Sequence, residues 1–373
     1  MRFTPFQLVD WFAAAEGRFD LSLSHSDCEP LPLSELFDAS ELVTFADFRL
    51  GYGTFAGLEQ LRSVVARQYT TIDKNDVLIF SGVSEAIYTF MRTMLNPGDE
   101  VVVQRPMFHT LHAIARSIGC KVTEWQPTDE TTCSFDVSAL LELCTPRTKL
   151  IVFNFPHNPT GQMISESDLQ RIIETARRCN AFVFSDEQFR LLEMPSVATL
   201  PAACDLYDKA ISVTGISKTL GLGGLRIGWL ATRSAEVIAA AKEYRFYTTE
   251  MTNTPCQMFA SRALERGDEI LARNRRQLAE NVERLHAFTE QHQKMLVFHP
   301  PKAGTLTMVE QKTSLTSTEL CERLLDDQRV FLVPGGAMGM SDRLLRFGLG
   351  RNDFAEGLAR LGDFLHGMTE SVQ

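Results

Sequence analysis

Short apolar runs recur from about residue 75 onward, at 77–80, 101–103, 150–153, 181–184, 211–213 and 227–230, each separated from the next by a helix-like stretch or turn residues. A strand with one wet face alternates apolar and polar residues, and these runs do not. Both of their faces must therefore be covered, as in a mostly parallel sheet with crossover helices on either side. The stretches 84–95 and 165–179 suit such helices. The second opens with Ser165-x-x-Asp168, a capping pattern, and the first stops at Asn96-Pro97-Gly98-Asp99.

Beyond about residue 250 the pattern changes. Long helical segments over 255–292 precede sparser strands near 296–310, 330–333 and 344–349, and a last helix near 352–368. Fewer strands with helices to one side predict a smaller α+β unit. The first 45 residues carry a helix-like face of Phe6, Leu8, Val9, Trp11 and Phe12 that packs on this unit or on a partner chain. The expected division is a large α/β domain over 46–250 and a small domain built from both chain ends, 1–45 and 251–373. A chain of 373 residues is long enough for both.

A formal net charge of −10 argues against nucleic acid or an anionic membrane surface as the main partner. The eight cysteines (28, 120, 133, 144, 179, 204, 256 and 321) show no C-x-x-C and no zinc spacing, so they read as reduced thiols, with no metal site. The N-terminal residues include Asp10 and Glu16 and form no continuous apolar stretch, which makes the cytoplasm the expected location.

The chemistry concentrates in Ser212-Val213-Thr214-Gly215-Ile216-Ser217-Lys218-Thr219-Leu220-Gly221-Leu222-Gly223-Gly224-Leu225-Arg226. A lysine at the end of a buried strand is partly desolvated, which lowers its pKa and makes its amine nucleophilic toward an aldehyde. The glycines after it allow close backbone approach, and Arg226 can pair with a phosphate. Taken alone, this stretch also fits a surface lysine beside a Gly-rich turn. Phe155-Pro156-His157-Asn158-Pro159-Thr160-Gly161 follows another buried strand, and Asp186 follows a third. In doubly wound sheets ligands gather at these carboxyl ends.

Five motifs stand in one order: Tyr52-Gly53-x3-Gly57-x3-Leu61-Arg62, Ser81-Gly82-x-Ser84-Glu85-Ala86, His157-Asn158-Pro159-Thr160-Gly161, Ser217-Lys218 and Arg226. In that order and spacing the chain, from about residue 30 to its end, resembles the aminotransferase superfamily (class I/II) of fold-type-I enzymes that depend on pyridoxal 5′-phosphate. The resemblance implies an α/β fold with a seven-stranded central sheet, helices on both faces and a smaller α+β domain. It implies that Lys218 forms the Schiff base with the cofactor and later moves the Cα proton, and that Asp186 pairs with the pyridinium nitrogen. Asn158 would bond the ring's 3′-oxygen and Phe108 would stack on the ring. Gly82, Val83 and Ser84 would hold the phosphate at a helix N-terminus, with Arg226 and Ser217 beside it. Tyr52 would reach the phosphate of a neighbouring subunit, which implies a homodimer. Arg346 would grip the substrate α-carboxylate.

Three departures narrow the resemblance. Phe189 stands where the family usually has a tyrosine that donates to the 3′-oxygen. Gly215 stands where a phosphate-binding Ser or Thr is usual. The segment Ser24-His25-Ser26-Asp27-Cys28-Glu29-Pro30 lacks the glycine usual near the substrate carboxylate. Phe189, the 152–158 segment and Leu320-Cys321-Glu322-Arg323-Leu324-Leu325 are similar to capreomycidine-synthase-like enzymes. That likeness implies dehydration and cyclisation of a hydroxylated arginine. A guanidinium needs a carboxylate partner, and Asp27, Glu29 and Glu16 are candidates by their place ahead of the fold, near the expected cleft. The alternatives are an ordinary aminotransferase, a PLP-dependent arginine oxidase, and a PLP-sensing regulator, the last opposed by the short, acidic N-terminal stretch. Each of the enzyme readings makes a small amino acid the partner.

Overall fold

The structure is a computed structural model that describes residues 3–44, 47–129, 132 and 134–370. The expected boundary at 45/46 and Cys133 lie outside the described residues. Its first strand is β1 (Leu21–Ser22), and the central sheet contains β2 (Val77–Phe80), β3 (Glu100–Gln104), β4 (Lys121–Trp125), β5 (Thr148–Asn154), β6 (Phe182–Asp186), β7 (Ala210–Gly215) and β8 (Gly228–Ala231). Their order is β2-β8-β7-β6-β5-β3-β4. The pairs from β7 to β4 are parallel, and β8 runs antiparallel to both β2 and β7.

The apolar runs become strands because helices close over both faces, leaving β2 and β6 buried along their whole length. The sequence pattern misses β4 for a physical reason: it is the sheet edge, and its Lys121, Thr123 and Glu124 are partly or fully exposed. Only Trp125 is fully buried there, its indole N–H donating to the Asp136 carbonyl at 2.9 Å.

The remaining strands are β9 (Leu296–His299), β10 (Leu306–Gln311), β11 (Val330–Phe331), β12 (Val333–Pro334) and β13 (Leu344–Gly348). Four of them form a separate sheet ordered β12-β13-β10-β9, and β11 pairs in parallel with β1. The helix Gln7–Ala15 docks on this chain: the Trp11 indole donates to the Leu332 carbonyl at 3.0 Å, and the Phe12 ring lies 4.7 Å from that of Phe331. The Glu166–Cys179 helix starts where its capping pattern predicts, with the Ser165 hydroxyl accepting from the Asp168 N–H at 3.1 Å. No described helix is long and apolar enough to cross a membrane.

The Gly267–Gln291 helix ties the two sheets' loops together. Two turns apart on it, Asn274 donates to the Thr219 carbonyl at 2.7 Å, and Asn281 donates to the carbonyls of Leu349 and Arg351, both at 2.9 Å. Thr219 adjoins Lys218 and Leu349 lies three residues beyond Arg346, so one helix face holds both segments. Asn281→Leu should orphan both carbonyls and cost about 2–3 kcal/mol. The expected result is a thermal midpoint several degrees lower, measured by calorimetry.

Candidate active site

The polar residues of the central sheet appear where its strands end. Asn154 closes β5, Asp186 closes β6, and Lys218 sits in the helical turn Ile216–Thr219 that follows β7. Register puts Asn154 beside Asp186 and Asp186 beside Val213. These ends open on a cavity of about 400 Å³ whose wall includes Asp186, Lys218, Ser217, Asn158, Phe108 and Phe189.

Asp186 is 4% exposed, and its carboxylate accepts one bond, from the Gln188 N–H at 3.1 Å. Burial pushes its pKa up to about 7 against that hydrogen bond, Glu187 raises it further, and Lys218 pulls it down. Among the described residues no cationic side chain forms a salt bridge with it. Asn154 is the joint behind it. Its amide donates to the Asp186 carbonyl at 2.7 Å, and its side-chain oxygen accepts from the Asn158 N–H at 2.7 Å. His157 fixes the same loop on its other side. Its Nε2 donates to the Pro106 carbonyl at 2.8 Å, which leaves Nδ1 to accept from the Thr160 hydroxyl at 2.7 Å. Burial lowers its pKa to about 4, so the ring is a neutral brace between Asn158 and the Phe108 loop.

Gly82 precedes the Val83–Met94 helix with φ of 90°, and a Cβ on it would stand 2.5 Å from Arg226 Nη2. The missing side chain lets the guanidinium approach the helix N-terminus, whose first-turn N–H groups have no partner within the helix. Val83, Ser84 and Arg226 all line the cavity there. Gly215 has an equally local cause: a Cβ would meet the Ile227 carbonyl at 2.7 Å and the Gly228 Cα at 2.9 Å. A serine or threonine has no room at that position.

At the opposite wall Arg346, on β13, is 2% exposed. One Nη donates to the Ser24 carbonyl at 3.0 Å, Nε has no partner, and among the described residues no carboxylate pairs with it. Burial lowers its pKa to about 10, which still leaves it charged. Asp27 lines the cavity with its charge matched by Arg351 at 3.0 Å. Glu29, expected on the substrate side, is not on the cavity wall. The chain turns inward at Cys28, whose N–H donates to the Lys218 carbonyl, and the Glu29 carboxylate accepts from the Asn352 N–H at 2.9 Å instead. Glu16 is exposed just past the first helix and is likewise off the wall. Tyr52 is 92% exposed and does not line this chain's cavity.

Several lining residues carry no sequence motif. Leu8, Val9 and Phe12 of the first helix line the cavity, as do His25 and Ser26. Lys218 Nζ donates to Ser26 Oγ at 2.8 Å. Its pKa is lowered by burial, raised by Asp27, and lowered further by Arg346, Arg226 and Arg351. For His25 and Ser26 the sequence offers only the unusual 24–30 segment as a signal, while Leu8, Val9 and Phe12 belong to the helix-like face read at the start of the chain.

These features fit pyridoxal phosphate: a cradle that a Cβ would fill suits a phosphate, and an unpaired buried carboxylate suits a cationic ring nitrogen. The unpaired guanidinium across the cavity suits a substrate carboxylate. Among the described residues no group of three His, Cys, Asp or Glu could hold a metal.

The family model for aminotransferases of class I and II matches residues 28–356. Capreomycidine synthase of Streptomyces vinaceus is 28% identical, over 84% of this chain and 80% of its own. An aspartate aminotransferase of Sulfurisphaera tokodaii is 25% identical, over 84% and 82%. Among solved structures, a PLP-dependent aminotransferase from Streptococcus suis superposes with a TM-score of 0.92 at 28% identity, covering 98% of both chains. The PLP-dependent cyclase OrfR superposes with a TM-score of 0.88 at 28% identity, covering 99% and 98%. The chain belongs to the class I and II aminotransferase family and is a pyridoxal-phosphate-dependent enzyme.

Proposed function

We propose that this enzyme moves the amino group of a free α-amino acid to a 2-oxo acid. The observation that carries the reading is Lys218, standing in one cavity between the unpaired carboxylate of Asp186 and the unpaired guanidinium of Arg346. Similarity to enzymes named as aminotransferases weighs the same way.

When bound, pyridoxal phosphate supplies an aldehyde that condenses with amines and a cationic ring that takes up electrons released at Cα. The chain does the rest. Gly82, Val83, Ser84, Ser217 and Arg226 hold the phosphate. Asn158 would donate to the 3′-oxygen, Phe108 would pack on the ring, and Asp186 would keep the ring nitrogen protonated. Arg346 grips the α-carboxylate with two N–H groups. The Lys218 amine carries the cofactor and moves the Cα proton, and burial lowers its pKa, which favours the neutral form that task needs. Tyr52 reaches the phosphate of a second copy. The exposed Leu50, Phe55, Phe246 and Tyr247 near it supply apolar area for such a homodimer.

A second reading is dehydration and cyclisation of a hydroxylated arginine. Phe189 favours it: the ring is 3% exposed, lines the cavity and has no hydroxyl to offer the 3′-oxygen. Similarity to capreomycidine synthase and to the OrfR cyclase supports it as well. Product analysis separates the two. Amino transfer predicts that turnover of every active amino acid stops when 2-oxo acid is withheld. A product one water lighter than a hydroxyarginine, formed with no acceptor present, would establish cyclisation instead.

Lys218→Ala should fold and bind cofactor but retain no cofactor on the protein after borohydride reduction, as read by intact mass. A retained link would move the role to another lysine. Asp186 yields a pH prediction for the cofactor-free protein. Its pKa is about 7 when folded and about 4 when unfolded, so the folded state holds a proton that the unfolded state releases between those values. Its contribution to stability therefore falls as pH rises from about 4 to about 7, by a few kcal/mol at most. Asp186→Asn should remove that slope, and the loaded variant should lose at least ~100-fold in turnover. Urea unfolding of variant and parent at both pH values measures the first, and initial rates measure the second.

A further inference from the structure

We propose that Ser26 is a positioning residue for the Lys218 amine: its hydroxyl receives one N–H of that amine and turns the rest of the nitrogen toward the substrate. The inference rests on the reading of Lys218 as the group that moves the Cα proton, and it holds for amino transfer and for cyclisation alike.

Ser26 Oγ, at 2.8 Å, is the one hydrogen-bond partner of Lys218 Nζ among the described residues. No carboxylate there lies within salt-bridge distance of the amine, because Asp27 is paired with Arg351. The charged and titratable groups that face the amine are Asp27, Arg346, Arg226 and Arg351, with Asp186 and His25 on the same cavity wall. Most of that field is positive, so a neutral hydroxyl is the direct contact left to the amine.

Backbone bonds on both sides set the contact. The Ser26 carbonyl accepts from the Thr305 hydroxyl at 2.8 Å, and two residues on the Cys28 N–H donates to the Lys218 carbonyl at 3.0 Å. The segment that carries the hydroxyl is thus tied by its backbone to the residue that carries the amine.

A lysine that takes and returns a proton alternates between a neutral amine and an ammonium. The Ser26 oxygen accepts an N–H from both. In the neutral amine this bond takes up one N–H, which leaves the lone pair on the side of the nitrogen away from Ser26. In the ammonium the same bond has a charged donor and is the stronger of the two. Ser26 therefore favours uptake of the proton as well as orienting the atom that takes it.

The test compares the parent with Ser26→Ala and Ser26→Thr. The Ala variant keeps the backbone bonds to Thr305 and Lys218 and removes only the hydroxyl; Ser26→Gly removes the same atom should Ala disturb the loop. In the loaded enzymes kcat should fall about tenfold in Ser26→Ala, with KM within about twofold, and return in Ser26→Thr. The second readout needs no turnover: the pH dependence of Lys218 acetylation in cofactor-free protein, followed by peptide mass spectrometry. Its midpoint should shift down by roughly one unit in Ser26→Ala and recover in Ser26→Thr. Identical midpoints in parent and Ser26→Ala, or no recovery with threonine, overturn the proposal. A failure of the Lys218 reading is visible separately, as a borohydride-stable link that survives in Lys218→Ala, because the acetylation midpoints report the Ser26 contact whatever the reaction.

Discussion

A sheet buried on both faces can offer charged side chains only where its strands end, and the rest of this molecule depends on that constraint. Inside β6 every side chain is buried, and the first ionisable group is Asp186, the last residue of the strand. β5 behaves the same way and ends on Asn154. Because the strands are parallel and in register, their ends coincide, so Asn154 and Asp186 meet without any search by side chains. Lys218 follows from the same rule one strand further on, in the turn after β7.

Two of the charged groups on the cavity wall are not neutralised by a protein partner. Asp186 has a single backbone donor, and Arg346 leaves its Nε without a partner. Each is a group that folding would more readily leave in water, because isolated buried charges carry a desolvation cost. A buried arginine elsewhere has a carboxylate close by. Arg245, 1% exposed, donates to the carbonyls of Phe55 and Ile79 and to the Thr252 hydroxyl, with Glu85 at 3.7 Å. Nε lacks a hydrogen-bond partner in both arginines, so the difference is the carboxylate: among the described residues Arg346 has none paired with it.

The sequence carries the sheet well, since buried strands and caps leave local patterns. The strands 77–80 and 150–153, the Ser165 cap and the Gly82 and Lys218 motifs can be read directly. The edge strand β4 cannot, because half of its residues face water. The substrate side is legible only in part. Arg346 stands in a recognisable Leu-Arg-Phe-Gly strand, but Asp27 and Glu29 are chemically equivalent on paper. Which acid faces the cavity depends on Cys28 turning inward to reach the Lys218 carbonyl, a contact between residues 190 positions apart in the chain. The roles of His25 and Ser26 are hidden for the same reason.

That long-range contact also explains how the two walls of the cavity keep their spacing. The 21–29 segment pairs with β11 at its start and is pressed between loops further on: a Cβ at Gly348 would stand 1.9 Å from the His25 carbonyl, and one at Gly350 would stand 2.3 Å from that of Asp27. Gly348 and Gly350 follow Arg346 on the same stretch of chain, and Cys28 is bonded to the backbone of Lys218. The separation of Arg346 from Lys218 is therefore set by backbone against backbone, which is far stiffer than contacts between long side chains. The side chains of His25, Ser26 and Asp27 project from that fixed segment into the cavity. Substitution there changes what the amine and the substrate touch while the distance between the two cationic residues stays as the backbone sets it.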